Sequence, residues 1–237
     1  TELNWDLIKR GIPLGILLAL GYITQTIALE LTTAAITGFL TGLYVVLTPV
    51  LGYFFFRKKL DSRVLIGVVL ATIGLALLSL NGLSVEPGQV WGIACALLFA
   101  AHIVALGAWS PGKNVYVLTV LQLGTMAVIN WVGALVNDGS YQSPPNWDVW
   151  FAVIFTAIFA TAIAFFVQTW AQSIMDASRV AIILTTEIVW AAVIAVAVGQ
   201  EVLSLRTLLG GLIMLAAMFI VEWPRPGLLA QVPRLES

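Results

Sequence analysis

Charge is what this 237-residue chain has least of: only 10% of its residues are Asp, Glu, Lys or Arg, against about 25% in a soluble domain. With 60% hydrophobic residues and a mean hydropathy of +1.01, the polar residues cannot cover a water-facing surface, and a soluble core is a poor explanation. Cysteine and histidine are almost as scarce. A single cysteine, Cys95, and a single histidine, His102, exclude an intrachain disulfide and most metal sites, so neither a metal nor a cofactor is expected. A net charge of -1 excludes a basic face for nucleic acid. An intramembrane enzyme lacks its usual machinery, since no His-Glu-x-x-His or Gly-x-Ser-x-Gly occurs and the apolar segments hold no aspartate pair. A channel would need symmetric polar rings or filter-like loops, and none is visible. The first residues, Thr1 to Asp6, carry no initiator Met and no basic region followed by a cleavage site. Targeting is therefore expected to come from the apolar segments themselves or from sequence upstream.

What the chain has in abundance is long apolar runs. A bilayer core about 30 Å thick needs about 20 apolar helical residues, and eight segments meet that requirement: 12–29, 34–56, 64–80, 90–109, 115–136, 149–171, 180–198 and 207–223. Turn-rich or basic connections separate them, among them Arg57-Lys58-Lys59, Asn81-Gly82 and Pro144-Pro145-Asn146. The expected fold is an all-α polytopic transmembrane bundle of eight spans in contact with the lipid bilayer. With the N-terminus inside, every Lys and Arg except Arg206 falls on the inner side, as the positive-inside bias requires. Both termini are then cytoplasmic. A false span would flip every later loop and break this bias.

The sequence repeats itself. Tyr22-Ile23-Thr24-Gln25-Thr26-Ile27-Ala28 in the first segment matches Phe165-Phe166-Val167-Gln168-Thr169-Trp170-Ala171 in the sixth. Ala35-Ile36 matches Ala181-Ile182, and Arg63 to Gly67 matches Arg206 to Gly210. Segments one to three thus correspond to six to eight. An odd number of crossings separates the copies, which makes the repeat inverted. Inverted repeats are a recurrent plan for secondary transporters, with the substrate near mid-bilayer and access alternating by rocking. The fourth and fifth segments have no upstream partners, so the expected organisation is three plus five spans of a five-plus-five parent. Residues 1–85 form the incomplete first repeat, 86–223 the second, and 224–237 a cytoplasmic tail.

The chain resembles the EamA-like part of the drug/metabolite transporter superfamily. The resemblance is carried by Gly42-Leu43-Tyr44-Val45-Val46-Leu47-Thr48-Pro49 with Arg57-Lys58-Lys59 after it, by Gly67 to Gly74, and by Ala181-Ile182-Ile183-Leu184-Thr185-Thr186-Glu187 leading to Gly199-Gln200-Glu201 and Gly210. It covers residues 10 to 223. It implies a ten-helix fold of two inverted repeats, a bacterial cytoplasmic membrane, and transport of amino acids, sugars, nucleotide derivatives or other small metabolites. The chain departs from the family pattern in lacking the first two spans and in Ile188, where proline often follows the glutamate. The expected function is secondary transport of a small polar metabolite by alternating access, coupled to protons or working by exchange. A non-transporting truncated protein is the rival reading. Oligomeric state is not legible.

Few residues inside the spans carry chemistry. An ionisable group there costs about 2.5–3.5 kcal/mol on insertion scales and marks a functional position by default. Glu187 and His102 are the two that sit well inside. Counting at 1.5 Å per residue puts both roughly 10 Å from the inner face, with Gln122 at a similar depth. Glu187 is the candidate for carrying a proton through the transport cycle. His102 and Gln122 are candidate partners or substrate contacts, against the alternative of interhelical hydrogen bonds. Tyr44, close to Thr48 and Pro49, marks a wall where a missing backbone donor kinks the helix. Trp190, three residues after Glu187, is a candidate to flank the same pocket. Gln25 and Gln168, related by the repeat, are read as gate or packing hydrogen bonds. Trp5, Trp91, Trp109, Trp147, Trp150 and Trp223 read as interfacial anchors. Gly38 and Gly42, spaced as a small-xxx-small pair, are expected to let helices approach closely.

Overall fold

The computed structural model describes residues 3–56, 62–79, 86–138, 143–175 and 205–222, and positions 180, 184, 187, 194, 197 and 199 between the last two stretches. Among the described residues there are helices and connecting turns and no strand. In lipid this is expected, because a helix satisfies its backbone groups within one segment.

Helix α1 spans Trp5–Leu31 and starts at Asn4, whose Oδ1 accepts from the Leu7 N–H at 2.9 Å. Helix α2 covers Ala34–Gly42 and α3 covers Tyr44–Phe56. The sequence expectation of one continuous span over 34–56 is interrupted at Leu43, whose N–H reaches the Leu40 carbonyl at 3.1 Å, a three-residue closure in place of the usual four. The interruption lies more than a turn before Pro49, and α3 continues through that proline. Helix α4 is Ser62–Ser79. Helix α5 is Pro87–Trp109, with proline at its first position, where no donor is missed, and the Glu86 N–H held by Gln89 Oε1 at 3.1 Å.

A tight turn leads into α6, Val115–Asp138. Lys113 N–H donates to the Ser110 carbonyl at 3.0 Å and Gly112 takes φ 69°, the left-handed position that follows proline in a type II turn. Helix α7, Trp147–Phe155, is capped by Asn146 and passes into a π-helical stretch, Thr156–Ile163, before α8, Ala164–Ile174. The expected span over 149–171 therefore carries a wider-wound middle. Helix α9 is Leu205–Glu222. The expected span over 180–198 lies largely outside the described residues; Val180, Leu184, Glu187, Ile194 and Ala197 are helical.

Among the described residues, five helical stretches, Trp5–Leu31, Ile36–Phe55, Pro87–Trp109, Val115–Val136 and Trp147–Ile174, are long and apolar enough to cross a membrane, with shorter apolar helices at Leu65–Gly74 and Leu208–Ile220. Helix α1 packs along both α5 and α6. Glycine makes this approach close. A Cβ on Gly15 would sit 2.5 Å from both the Gln122 carbonyl oxygen and Thr125 Cβ. Helix α4 packs against α9, where a Cβ on Gly74 would meet Met214 Cγ at 2.5 Å and the Gly210 carbonyl oxygen at 2.9 Å. Gly38, by contrast, has no atom within 4 Å of an added Cβ. The expectation that it brings helices together is corrected: it faces open space, and the close approaches fall on other glycines.

The main core joins α2, α3, α4, α5 and α9 around Phe39, Leu40, Val45, Ala100 and Met214. A smaller one joins Leu7 and Leu14 of α1 to Leu106 and Leu118. At the start of α1, Asp6 bonds Arg10 Nε at 3.0 Å and Lys113 Nζ at 2.8 Å, which ties the first helix to the α5–α6 turn on one side of the bundle.

Candidate functional site

Towards one end of these apolar helices lies a set of buried polar side chains. Helix α5 presents His102, α6 presents Gln122, and α8 presents Thr169 and Gln172, none more than 1% exposed. The hydrogen-bond directions follow from one another. The Thr169 hydroxyl donates back to the Phe165 carbonyl at 2.7 Å. Its single proton is thereby used, so its oxygen accepts from Gln122 Nε2 at 2.8 Å. That turns Gln122 Oε1 towards His102 Nε2 at 2.9 Å, and His102 must donate from Nε2. Gln172 Nε2 returns to α5 by donating to the Ile103 carbonyl at 3.2 Å. The chain thus joins three helices and pairs its buried groups, as a low-dielectric interior demands.

Gln122→Leu is expected to leave the His102 N–H and the Thr169 oxygen without their partner and to destabilise the protein by about 1–3 kcal/mol. Thermal unfolding of the purified variant in detergent checks this. An unchanged midpoint would show that the chain carries no stability.

A ring path leads from this chain to a second group. His102 stands edge-on to Phe165 at 6.1 Å, Phe165 to Tyr22 at 6.2 Å, and Tyr22 to Phe99 at 5.5 Å. Tyr22 of α1 and Tyr44 of α3 both lie within electrostatic reach of the Glu187 carboxyl, and the Glu187 side chain keeps solvent exposure while Tyr44 is buried. Nearby, Thr41 Oγ1 stands 3.7 Å from Cys95 Sγ. The Tyr44 carbonyl accepts from the Thr48 hydroxyl at 2.6 Å, one turn before Pro49. The described lysines and arginines, Lys9, Arg10, Arg63, Lys113 and Arg206, all lie near helix ends or in turns.

The residues expected from sequence are therefore distributed unevenly. His102 and Gln122 meet directly. Tyr44 and Glu187 lie within reach of one another, and the aromatic path of Tyr22 and Phe165 runs between them and His102. Gln168 is half-buried and its Nε2 donates to Gln172 Oε1 at 3.5 Å, while Gln25 is half-buried on α1. Pro49 is half-buried within α3, and Trp190 lies outside the described residues. Sequence reasoning did not single out Tyr22, Thr169 or Gln172. The repeated Gln-Thr dipeptide, followed one turn back to Tyr22 and Phe165, was the signal that could have found two of them. Among the described residues no group of three or more His, Cys, Asp or Glu is placed to hold a metal ion.

Known proteins supply the context. A solved crystal structure superposes on all of this chain and on 80% of its own length, with a TM-score of 0.67 at 20% identity, which supports the fold alone. An uncharacterized transporter of Archaeoglobus fulgidus is 34% identical over 92% of this chain and 70% of its own length. A second, the uncharacterized transporter YetK of Bacillus subtilis, is 24% identical over 58% of this chain and 44% of its own. The profile of the EamA-like transporter family matches residues 2–80 and 86–223. Those two stretches together with the apolar helices make the chain an integral membrane protein that belongs to the EamA-like transporter family.

Proposed function

We propose that this protein is a secondary transporter that moves a small polar metabolite, an amino acid or a related solute, across the bacterial cytoplasmic membrane by alternating access, with Glu187 as the proton-coupling group. The observation that carries this reading is the Glu187 carboxyl within reach of Tyr22 and Tyr44. An ionisable group on an apolar helical segment is costly and marks a functional position by default. Tyr22, Tyr44 and Glu187 line the substrate path, and His102 with Gln122 orders one of its walls. Trp190 flanks Glu187 in this proposal, Gln25 and Gln168 serve gating or packing, and Pro49 shapes the wall behind Tyr44.

The proposal includes eight spans, cytoplasmic termini, and an inverted repeat of three plus five helices divided near residue 85, with a tail over 224–237. Two contacts support the repeat. Tyr22 and Phe165, equivalent positions of the two copies, meet ring to ring. Helices α4 and α9, equivalent as well, pack against each other. Self-equivalent elements meet where a pseudo-two-fold axis passes between the copies, and that interface is where inverted-repeat transporters bind substrate.

Counterflow into proteoliposomes, with labelled amino acids, sugars and nucleotides offered in turn, tests the function. Accumulation of amino acids above protein-free vesicles is the expected result. Accumulation of sugars or nucleotides alone would overturn the substrate class, and none of any kind would overturn the transporter reading for this chain.

A further inference from the structure

The two helices related by the repeat are held in different ways. Helix α1 is fastened mainly by shape: Gly15 sets its backbone against that of Gln122, and Gly21 receives the Phe99 ring, with the Asp6–Lys113 pair at its start and Thr24 beside Cys95 as its polar ties. Its equivalent, the span made of α7, the π-helical stretch and α8, has no buried residue over Trp147–Ile163. Its buried residues are Phe165, Thr169 and Gln172, spaced i, i+4 and i+7 along one face of α8. Two of these three are polar, and both bond to other helices: Thr169 accepts from Gln122 at 2.8 Å and Gln172 donates to the Ile103 carbonyl at 3.2 Å.

These two kinds of seam respond differently to separation. Parting a close-packed seam leaves a void and forfeits its contacts. Hydrogen-bonding groups are re-paired by the water that fills an opening cavity, so each bond holds only weakly in net terms. An interhelical hydrogen bond in a membrane protein shifts an opening equilibrium about threefold on average. The π-helical stretch, with Thr156 Oγ1 donating to the carbonyls of both Ala152 and Val153 at 2.8 and 3.1 Å, places a wider-wound joint next to the seam. Such stretches recur at functional sites.

We infer that the polar seam of α8 is a latch: Thr169 and Gln172 are positioning residues that hold α8 against α5 and α6 in the state seen here and release it in the other. The inference rests on the alternating-access reading, in which one element must part from another. It assigns the moving role to α8 and the fixed role to its repeat partner α1.

Hydrogen–deuterium exchange of the full chain in lipid nanodiscs, read by mass spectrometry, tests the latch without measuring transport. Thr169→Val keeps the side-chain shape and removes the hydroxyl; Gln172→Leu removes the second bond independently. Each is expected to raise amide exchange over 164–174 about three- to tenfold, with the α1 segment around Gly15 unchanged. Thr169→Ser, which keeps the hydroxyl, is expected to exchange like the parent protein. Parent-like exchange in both Thr169→Val and Gln172→Leu would overturn the latch, as would a rise in Thr169→Ser equal to that in Thr169→Val. Transport could still be found in either case, so the two readings fail separately.

Discussion

Glu187→Gln is expected to abolish accumulation driven by an imposed pH gradient while leaving counterflow at equal pH in place. The amide has nearly the size and shape of the carboxyl and can pair with the same neighbours, but it cannot take up or release a proton. Because Glu187 is exposed on the bundle and not packed into its core, the substitution opens no void and strips no packed group of its partner, and folding is expected to survive. The two assays separate the roles. Counterflow needs binding and the conformational exchange, whereas gradient-driven accumulation also needs a proton to travel with or against the solute. The measurement is paired flux of the labelled amino acid selected by counterflow, with and without the gradient, in the same vesicle preparation. Parent-level gradient-driven flux in Glu187→Gln would remove Glu187 from the coupling. Loss of both fluxes would make it a binding group instead, paired with Tyr22 and Tyr44.

The second large effect is on stability. Gly15→Leu is expected to destabilise the protein by about 3 kcal/mol, the upper end of the usual range for overpacking. The reason is that the atoms an added Cβ meets at 2.5 Å include the Gln122 carbonyl oxygen, which belongs to a helix backbone and cannot rotate aside. Helices α1 and α6 must separate, and the Gln122 side chain moves with its backbone, so the His102 and Thr169 bonds stretch too. Gly124→Ala on α6 is the matched control: an added Cβ there has no atom within 4 Å, and removing a helical glycine is expected to stabilise by about 0.5–1 kcal/mol. Thermal unfolding in detergent distinguishes them. A Gly15→Leu midpoint equal to that of the parent protein would mean that the close α1–α6 approach is not what fastens α1.

The glycines also show what was legible in the sequence. Glycine content announces close helix packing, but Gly38, which its spacing points to, faces open space, while Gly15 and Gly74 make the contacts. Whether a glycine meets a partner depends on helix rotation, and a span that is apolar all round carries no stripe from which rotation can be read. For the same reason His102 and Gln122 could be assigned a common depth by counting residues, yet not a common face. Their meeting depends on how α5 and α6 turn towards α8. Thr169 and Gln172 looked like ordinary polar residues near a helix end. Their importance comes from the helices opposite them. The interruption at Leu43 and the wider winding over Thr156–Ile163 were also hidden, because hydropathy measures apolar length and is indifferent to which carbonyl each N–H reaches.

By itself, then, the sequence determined that this chain is built of membrane-spanning helices, because only long apolar runs with internally paired backbones are stable in hydrocarbon. It also carried the repeated Gln-Thr pattern and the scarcity of ionisable groups that direct attention to Glu187 and His102. Only the tertiary structure decided which side chains meet: the bonded set of His102, Gln122 and Thr169, and Gln172 on the Ile103 carbonyl beside it. Lipid is as apolar as the side chains it touches and supplies no force that turns one helix face inward over another. Close packing and interhelical hydrogen bonds make that choice, and both exist only once the helices are assembled.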